Sequence, residues 1–131
     1  MGKFKPFIEL EPKRPNRFIV ELIGTDVQSW AIYEARRPVY TLEDGWQDIE
    51  IELLDPIGPS TSQAIYNGII NKGLRNREIQ IKLLDPTGIE VEKWEIKGDY
   101  KVINFGELSY SSDELMKIKI TFKVLSCKLC Y

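Results

Sequence analysis

MKIKITFKV, residues 116–124, alternates apolar and polar side chains without a break. Met116, Ile118, Ile120, Phe122 and Val124 share one parity; Lys117, Lys119, Thr121 and Lys123 share the other. Successive strand side chains point to opposite faces, so this run reads as a strand with one dry face and one wet face. The same pattern recurs upstream. In IEIELLDPIG, residues 49–58, Ile49, Ile51 and Leu53 oppose Glu50 and Glu52; in IQIKLLDPTG, residues 79–88, Ile79, Ile81 and Leu83 oppose Gln80 and Lys82. RFIVELIG, residues 17–24, is rich in β-branched and aromatic residues and stops at Gly24, which adds another strand.

The two LLDP stretches match at seven of ten positions, thirty residues apart. Each ends in Asp-Pro with a glycine two residues after the proline. Proline cannot donate to a sheet ladder and aspartate favours turns, so Asp-Pro-x-Gly stops a strand. A helix signal follows the first stop and another strand the second, with no third copy, so the pair is one local solution used twice rather than a solenoid. Asp55 and Asp85 then read as turn residues rather than an acid–base pair.

PSTSQAIYNGIINKG supplies the one helix, at about residues 60–72. Ser60 and Gln63 stand at capping-box spacing, with Thr61 as a competing start; Ile65, Ile69 and Ile70 form a stripe, and Gly73 suits a left-handed end. Gly68 weakens its intrinsic propensity, so this helix is expected to depend on docking. Over residues 89–96 the apolar parity changes, from Ile89 and Val91 to Trp94 and Ile96, which implies a bulge or a bend between sheets. The fold class expected is mainly β: an antiparallel β-barrel or two-sheet sandwich flanked by one α-helix. An extended arm over residues 1–16 precedes a single domain over 17–131.

The composition excludes several classes of function. Apolar residues make up 43% and charged residues 29% of 131 positions, with a net charge of −2; that is a globular range with no concentrated basic run to grip nucleic acid. No segment approaches the roughly 20 apolar residues of a membrane span, and MGKFKPFIELEPKRPNRF lacks the apolar stretch of a signal peptide, so the expectation is a soluble chain with no membrane anchor. Cys127 and Cys130 form a CxxC with no second pair and no histidine in the chain; they read as small apolar residues in a reduced environment rather than a zinc or redox site. With no Gly-rich phosphate loop and no serine elbow either, no enzyme, cofactor or metal is expected. Glu90, Glu92 and Glu95, like Glu50 and Glu52, read as wet-face strand charges.

Two segments carry more apolar and aromatic surface than a solvated connection needs. The arm holds Phe4, Phe7, Ile8 and Leu10 among three prolines, and residues 25–48 hold Trp30, Tyr33, Tyr40 and Trp46 among turn signals. Long aromatic loops usually serve function, and both segments read as surfaces for another copy.

PNRFIVEL, ARRPVYT, GWQDIEIELLDPIGPSTSQAIY, LLDPTGIEVEKWEIKG and INFGELSYSSDELMKIKITFKV, in this order over most of the chain, resemble the tail tube protein family of contractile-tailed bacteriophages. Relatives of that family build the inner tubes of phage-like injection systems. The resemblance implies a tail-tube fold in homo-hexameric rings that stack into a hollow tube. It implies a tail sheath protein outside, a tape-measure protein inside, baseplate tube-initiator proteins at the end, and DNA passing through without specific binding. It implies a virion structural protein synthesised in the host cytoplasm. Contacts between subunits or rings fall on the arm, with Phe4 and Phe7, and on Trp30, Arg36, Arg37, Pro38, Tyr40 and Trp46. Glu50, Glu52, Lys117 and Lys119 are the candidates to face the lumen.

Only Leu42, Glu43 and Asp44 separate ARRPVYT from GWQD, a shorter connection than the family implies. Three readings stay open: the tail tube subunit, a baseplate tube-initiator or injection-system tube subunit, and a monomeric β-barrel that stacks Trp30 and Trp46 on a carbohydrate or nucleic acid. Deleting residues 1–16 is expected to leave the circular dichroism of the fold intact while weakening assembly, as read by light scattering; an unfolded truncation makes the arm a core strand.

Overall fold

The computed structural model describes residues 12–73 and 77–131. The alternating run that begins at Met116 continues into β8 (Lys117–Leu129), which pairs antiparallel with the equally long β7 (Glu90–Asn104). The N-terminal half of β7 takes β6 (Arg77–Leu84) on its other side, and β6 takes β1 (Phe18–Leu22). The N-terminal half of β8 takes β5 (Ile49–Leu54), and β5 takes the short β2 (Ile32–Glu34). The result is one six-stranded antiparallel sheet in the order β1-β6-β7-β8-β5-β2, curled until it is nearly closed. Between β2 and β5 a small hairpin, β3 (Tyr40–Thr41) and β4 (Gly45–Trp46), stands as a separate two-stranded sheet.

The curl has an identifiable cause. The β7–β8 register shifts twice, between Lys97 and Gly98 and between Tyr100 and Val102, leaving Leu125 and Lys101 as the extra residues. Each bulge bends and twists the ladder locally, and together they fold the two halves of the long strands over one core. That core holds Val20 and Leu22 of β1, Ile49, Ile51 and Leu53 of β5, Ile79, Ile81 and Leu83 of β6, Ile96 of β7, and Ile118, Ile120, Phe122 and Val124 of β8. Those of β5, β6 and β8 are the dry-face residues that the period-two pattern marks.

The phase change over 89–96 is also a bulge. Leu83 stands opposite Glu92 and Leu84 opposite Glu90, so Val91 is the extra residue. Its consequence overturns one expectation. Past Val91 the inward parity passes through Glu92, Trp94, Ile96 and Gly98, and Glu92 is 4% exposed rather than on the wet face.

The helix begins as its sequence signals require and then departs from them. Ser60 caps α1 (Thr61–Ile65), its Oγ accepting from Gln63 N at 3.2 Å. Gln63 does not complete a capping box; its amide reaches Asn67 Oδ1 instead. Asp55 adds a second cap, its Oδ1 accepting from Thr61 N and Ser62 N at 3.0 and 3.1 Å. Residues Tyr66–Ile70 then widen into a π-helical turn, with Asn71 N donating to Tyr66 O at 2.8 Å. The expected α-helix over about 60–72 is therefore half α and half π. Ile65 and Ile69 are buried while Ile70 is exposed, so the wider turn rotates Ile70 out of the stripe.

Docking holds this segment in place. A Cβ on Gly68 would stand 3.0 Å from Thr25 Cβ, so the glycine that costs helix propensity lets the segment after β1 pack against it. From β6 the buried Arg77 donates to Gly68 O at 2.8 Å and Ile69 O at 3.2 Å, with its guanidinium 6.0 Å from the centre of the Tyr100 ring. A cation bound to the last carbonyls satisfies orphan acceptors and the helix dipole together.

Gly98 of β7 packs directly against the β8 backbone, and an added Cβ would collide with the Lys123 carbonyl oxygen. Gly98→Ala is expected to destabilise the fold by about 1–3 kcal/mol or more, as overpacking does. A denaturant midpoint equal to the parent's would show that the two strands can separate at this bulge without cost.

Candidate assembly surfaces

Three surfaces carry the residues singled out by sequence. The first is the wet face of β5 and β8. Glu50 stands opposite Thr121, Glu52 opposite Lys119, and Leu54 opposite Lys117, so all four lumen candidates project from one side of the sheet. Lys119 Nζ lies 3.6 Å from Glu52 Oε1, and Lys117 Nζ stands 4.1 Å over the Tyr33 ring. Glu34 of β2 adds a further carboxylate, and its hydrogen bond to Glu52, followed by the charge of Glu52, pushes its carboxyl above the usual glutamate range. A face that interleaves both signs holds no strong field of either.

The second surface gathers around Glu92. Its carboxylate accepts from Lys13 Nζ at 2.6 Å, from Trp94 Nε1 at 2.6 Å, and from Arg37 Nη1 at 3.3 Å. Burial pushes this carboxyl up, but the hydrogen bonds from Lys13 and Trp94 and the charges of Lys13 and Arg37 outweigh it, leaving the group below the ordinary glutamate value. One buried acid thus ties the segment before β1 to the segment after β2, across the seam where the sheet stays open. Beside it a cavity of about 260 Å³ is floored by Phe18, Ile81 and Leu83, with Lys13, Arg14, Arg36 and Arg37 around its rim. Arg36 and Arg37 therefore share one site. No sequence signal picked out Glu92 or Arg77, because only the bulge at Val91 and the long-range register turn these charged residues inward.

The third surface is aromatic. Tyr40 meets Trp46 edge to face at 4.9 Å, and Trp46 meets Trp94 at 6.1 Å. The hairpin of β3 and β4 is held by Gln47 N donating to Val39 O and by Thr41 Oγ1 accepting from Asp44 N, with Gly45 at a φ of +77°. Trp46 is thereby half-buried while Tyr40 is exposed, and Pro38 is half-buried beside them. Trp30 lies in a separate 3-10 turn, Ser29–Ala31, and is exposed. Phe4 and Phe7 lie outside the described residues.

The remaining candidates for chemistry are accounted for locally. Asp85 Oδ1 accepts from Thr87 Oγ1, Thr87 N and Ile89 N; the Thr87 hydroxyl, then the Ile89 amide, hold its carboxyl below the usual aspartate range. Asp55 and Asp85 thus do the same capping work in two settings. Cys127 faces the core, where burial pushes its thiol up to about 11; Cys130 faces the other way and donates to Glu95 at 3.0 Å, an interaction that raises it too. Thiols held protonated are poor nucleophiles and poor ligands. No cluster of three or more metal-ligating side chains occurs among the described residues, and no helix among them is long and apolar enough to cross a membrane.

No family model matches the chain, and no curated protein matches its sequence. Solved structures do share its fold. A chain of the PVC extracellular contractile injection system, from its sheath-tube complex in the extended state, matches with a TM-score of 0.61 at 14% identity, covering 94% of each chain. A chain of the anti-feeding prophage baseplate matches at 0.59 and 12% identity, covering 91% of this chain and 95% of that one. A chain of the PVC sheath/tube terminator matches at 0.59 and 15% identity, over 92% and 98%. The curled six-stranded sheet with its short helix is the fold of contractile injection system components, in agreement with the tail-tube resemblance of the sequence.

Glu92→Gln keeps an acceptor for Trp94 but removes the charge that Lys13 and Arg37 meet. It is expected to destabilise the fold by about 1–3 kcal/mol at neutral pH. A carboxyl depressed in the fold contributes stability above its unfolded value and loses it as pH falls through its folded value. The parent's thermal midpoint should therefore drop on acidification below the ordinary glutamate range, and the Gln variant should lack that part of the slope. Equal slopes would remove Glu92 as the titrating group.

Proposed function

We propose that this chain is a subunit of the inner tube of a contractile tail or contractile injection system. In this reading it forms hexameric rings that stack into a conduit within a sheath, and it has no catalytic role. The observation that carries the reading is the match in fold, over nearly the full length of both chains, to a component of a sheath-tube complex. Two features of the molecule support it. The wet face of β5 and β8 pairs Lys119 with Glu52 and sets Lys117 over Tyr33, which suits a wall past which a polyanion or a cargo protein must slide without sticking. The sheet also ends in two edges, β1 and β2, and edges left open invite pairing with neighbouring chains.

In this reading Glu50, Glu52, Lys117 and Lys119 line the lumen, and Arg36, Arg37, Pro38, Tyr40 and Trp46 join subunits or rings. A tube-initiator at the baseplate is the second reading, favoured by the match to a baseplate chain. The monomeric binding module is disfavoured, because Trp46 is already packed by Tyr40 and Trp94.

Negative-stain electron microscopy of the concentrated protein, with light scattering for mass, tests the proposal. Six-fold rings are expected in either tube-related reading, and long hollow tubes in the first. A persistent monomer that neither self-assembles nor adds to preformed rings overturns both.

A further inference from the structure

β2 has the fewest registered partners of any strand in the large sheet. It is three residues long, it stands at the edge, and only two pairs join it to β5: Ile32 opposite Leu53 and Glu34 opposite Glu52. The register shifts between those pairs, so Tyr33 is the extra residue. An unbroken ladder would set Glu34 opposite Ile51, whose side chain is fully buried. The bulge turns Glu34 to the wet face instead, because one added residue reverses every face beyond it. Its consequence is a pair of acids directly opposite each other, an arrangement that weakens a sheet when both are ionised.

Side chains then do most of the holding. Ile32 is buried in the core, the Tyr33 ring lies under Lys117 Nζ, and the Glu34 carboxyl is hydrogen-bonded to that of Glu52. Two carboxyls keep a hydrogen bond between them only while one carries a proton, since an ionised carboxylate can accept but not donate. Charged groups reach the pair from each neighbouring element. β5 supplies Glu50 beside Glu52, β8 supplies Lys117 and Lys119, the latter 3.6 Å from Glu52 Oε1, and Arg36, just past β2, lines the same trough. Lys117 and Lys119 favour the ionised form but are outweighed. The hydrogen bond to Glu52, then its charge, then burial leave the Glu34 carboxyl above the usual glutamate range.

We propose that the Glu34–Glu52 pair is a proton-operated clasp on the edge strand β2. With one proton shared between the two carboxyls, β2 is held to β5. When that proton passes to solvent, two facing carboxylates push the strand away, and Ile32 and Tyr33 are left to retain it. β2 and the 3-10 turn before it then open locally while the rest of the sheet stays paired, as weakly held edges do. The sign is opposite to that at Glu92. A carboxyl raised in the docked strand contributes a hold that is complete below its value in the released strand and is lost as pH rises through its docked value. The clasp belongs to the single chain and does not rest on the tube reading.

Hydrogen exchange of the dilute full chain, compared between about pH 7 and about pH 5 and corrected for the intrinsic rate of each amide, reads the clasp directly. Protection over Ile32–Glu34 is expected to rise at least about twofold toward the lower pH, while the core amides of Ile51 and Ile120 show no such rise. Glu34 is exposed, and Glu34→Gln puts a permanent neutral donor where the parent needs a proton. That variant should hold β2 at the parent's low-pH protection across the whole range, and Glu52→Gln should do the same. Parent protection that stays flat overturns the clasp. Protection that falls toward acid also overturns it, because Lys117 and Lys119 would then be holding β2 through ionised carboxylates. A Gln variant that keeps the parent's slope overturns it as well.

Discussion

The pairing of β7 with β8 is the constraint on which the rest of the molecule depends. These two strands carry the longest ladder, and every other strand of the large sheet is hung on one side of it: β6 and β1 on β7, β5 and β2 on β8. A straight ladder of this length would give a flat sheet whose dry face had nothing to pack against. The shifts at Lys97–Gly98 and Tyr100–Val102 bend it instead, so that dry faces from both halves meet over Phe122, Ile120 and Ile96. Hydrophobic burial then closes what the bulges began, at about 25 cal/mol per Å² of apolar surface removed from water.

The closure is incomplete, and the seam is where charge enters the interior. A carboxylate with almost no access to water is expensive unless cations and hydrogen-bond donors surround it. Glu92 meets that condition with Lys13, Arg37 and Trp94. The cost of burial is thereby converted into a tie between segments that share no backbone pairing. Arg77 does the complementary work at the other end of the barrel, where a buried guanidinium meets the carbonyls of Gly68 and Ile69. Each end of the barrel thus closes around one buried charge, an acid at one and a base at the other.

The wet face of β5 and β8 holds both signs without a strong field of either. Lys119 meets Glu52, Lys117 stands over the Tyr33 ring, and Glu34 shares a hydrogen bond with Glu52.

How much of this was legible without coordinates follows from the range of each interaction. Strand alternation at 49–54, 79–84 and 116–124, the Asp-Pro stops and the Ser60 cap are set by neighbours a few residues apart, and each was readable along the chain. The bulge at 89–96 was readable too, as a break in parity, but its effect on Glu92 was not. Which side of the break faces the core depends on the Leu83–Glu92 register and on cations far off in the chain, Arg37 at 55 positions and Lys13 at 79. The π-helical turn at Tyr66–Ile70 was likewise hidden, because it answers to Thr25 and Arg77 rather than to its own propensity. By itself, then, the sequence determined which residues alternate, where strands stop, and that apolar faces must be buried together. Only the tertiary structure decided which charged residues turn inward and that Trp46 packs while Trp30 does not. Those outcomes depend on the register between distant strands, and a bulge of one residue reverses every face beyond it.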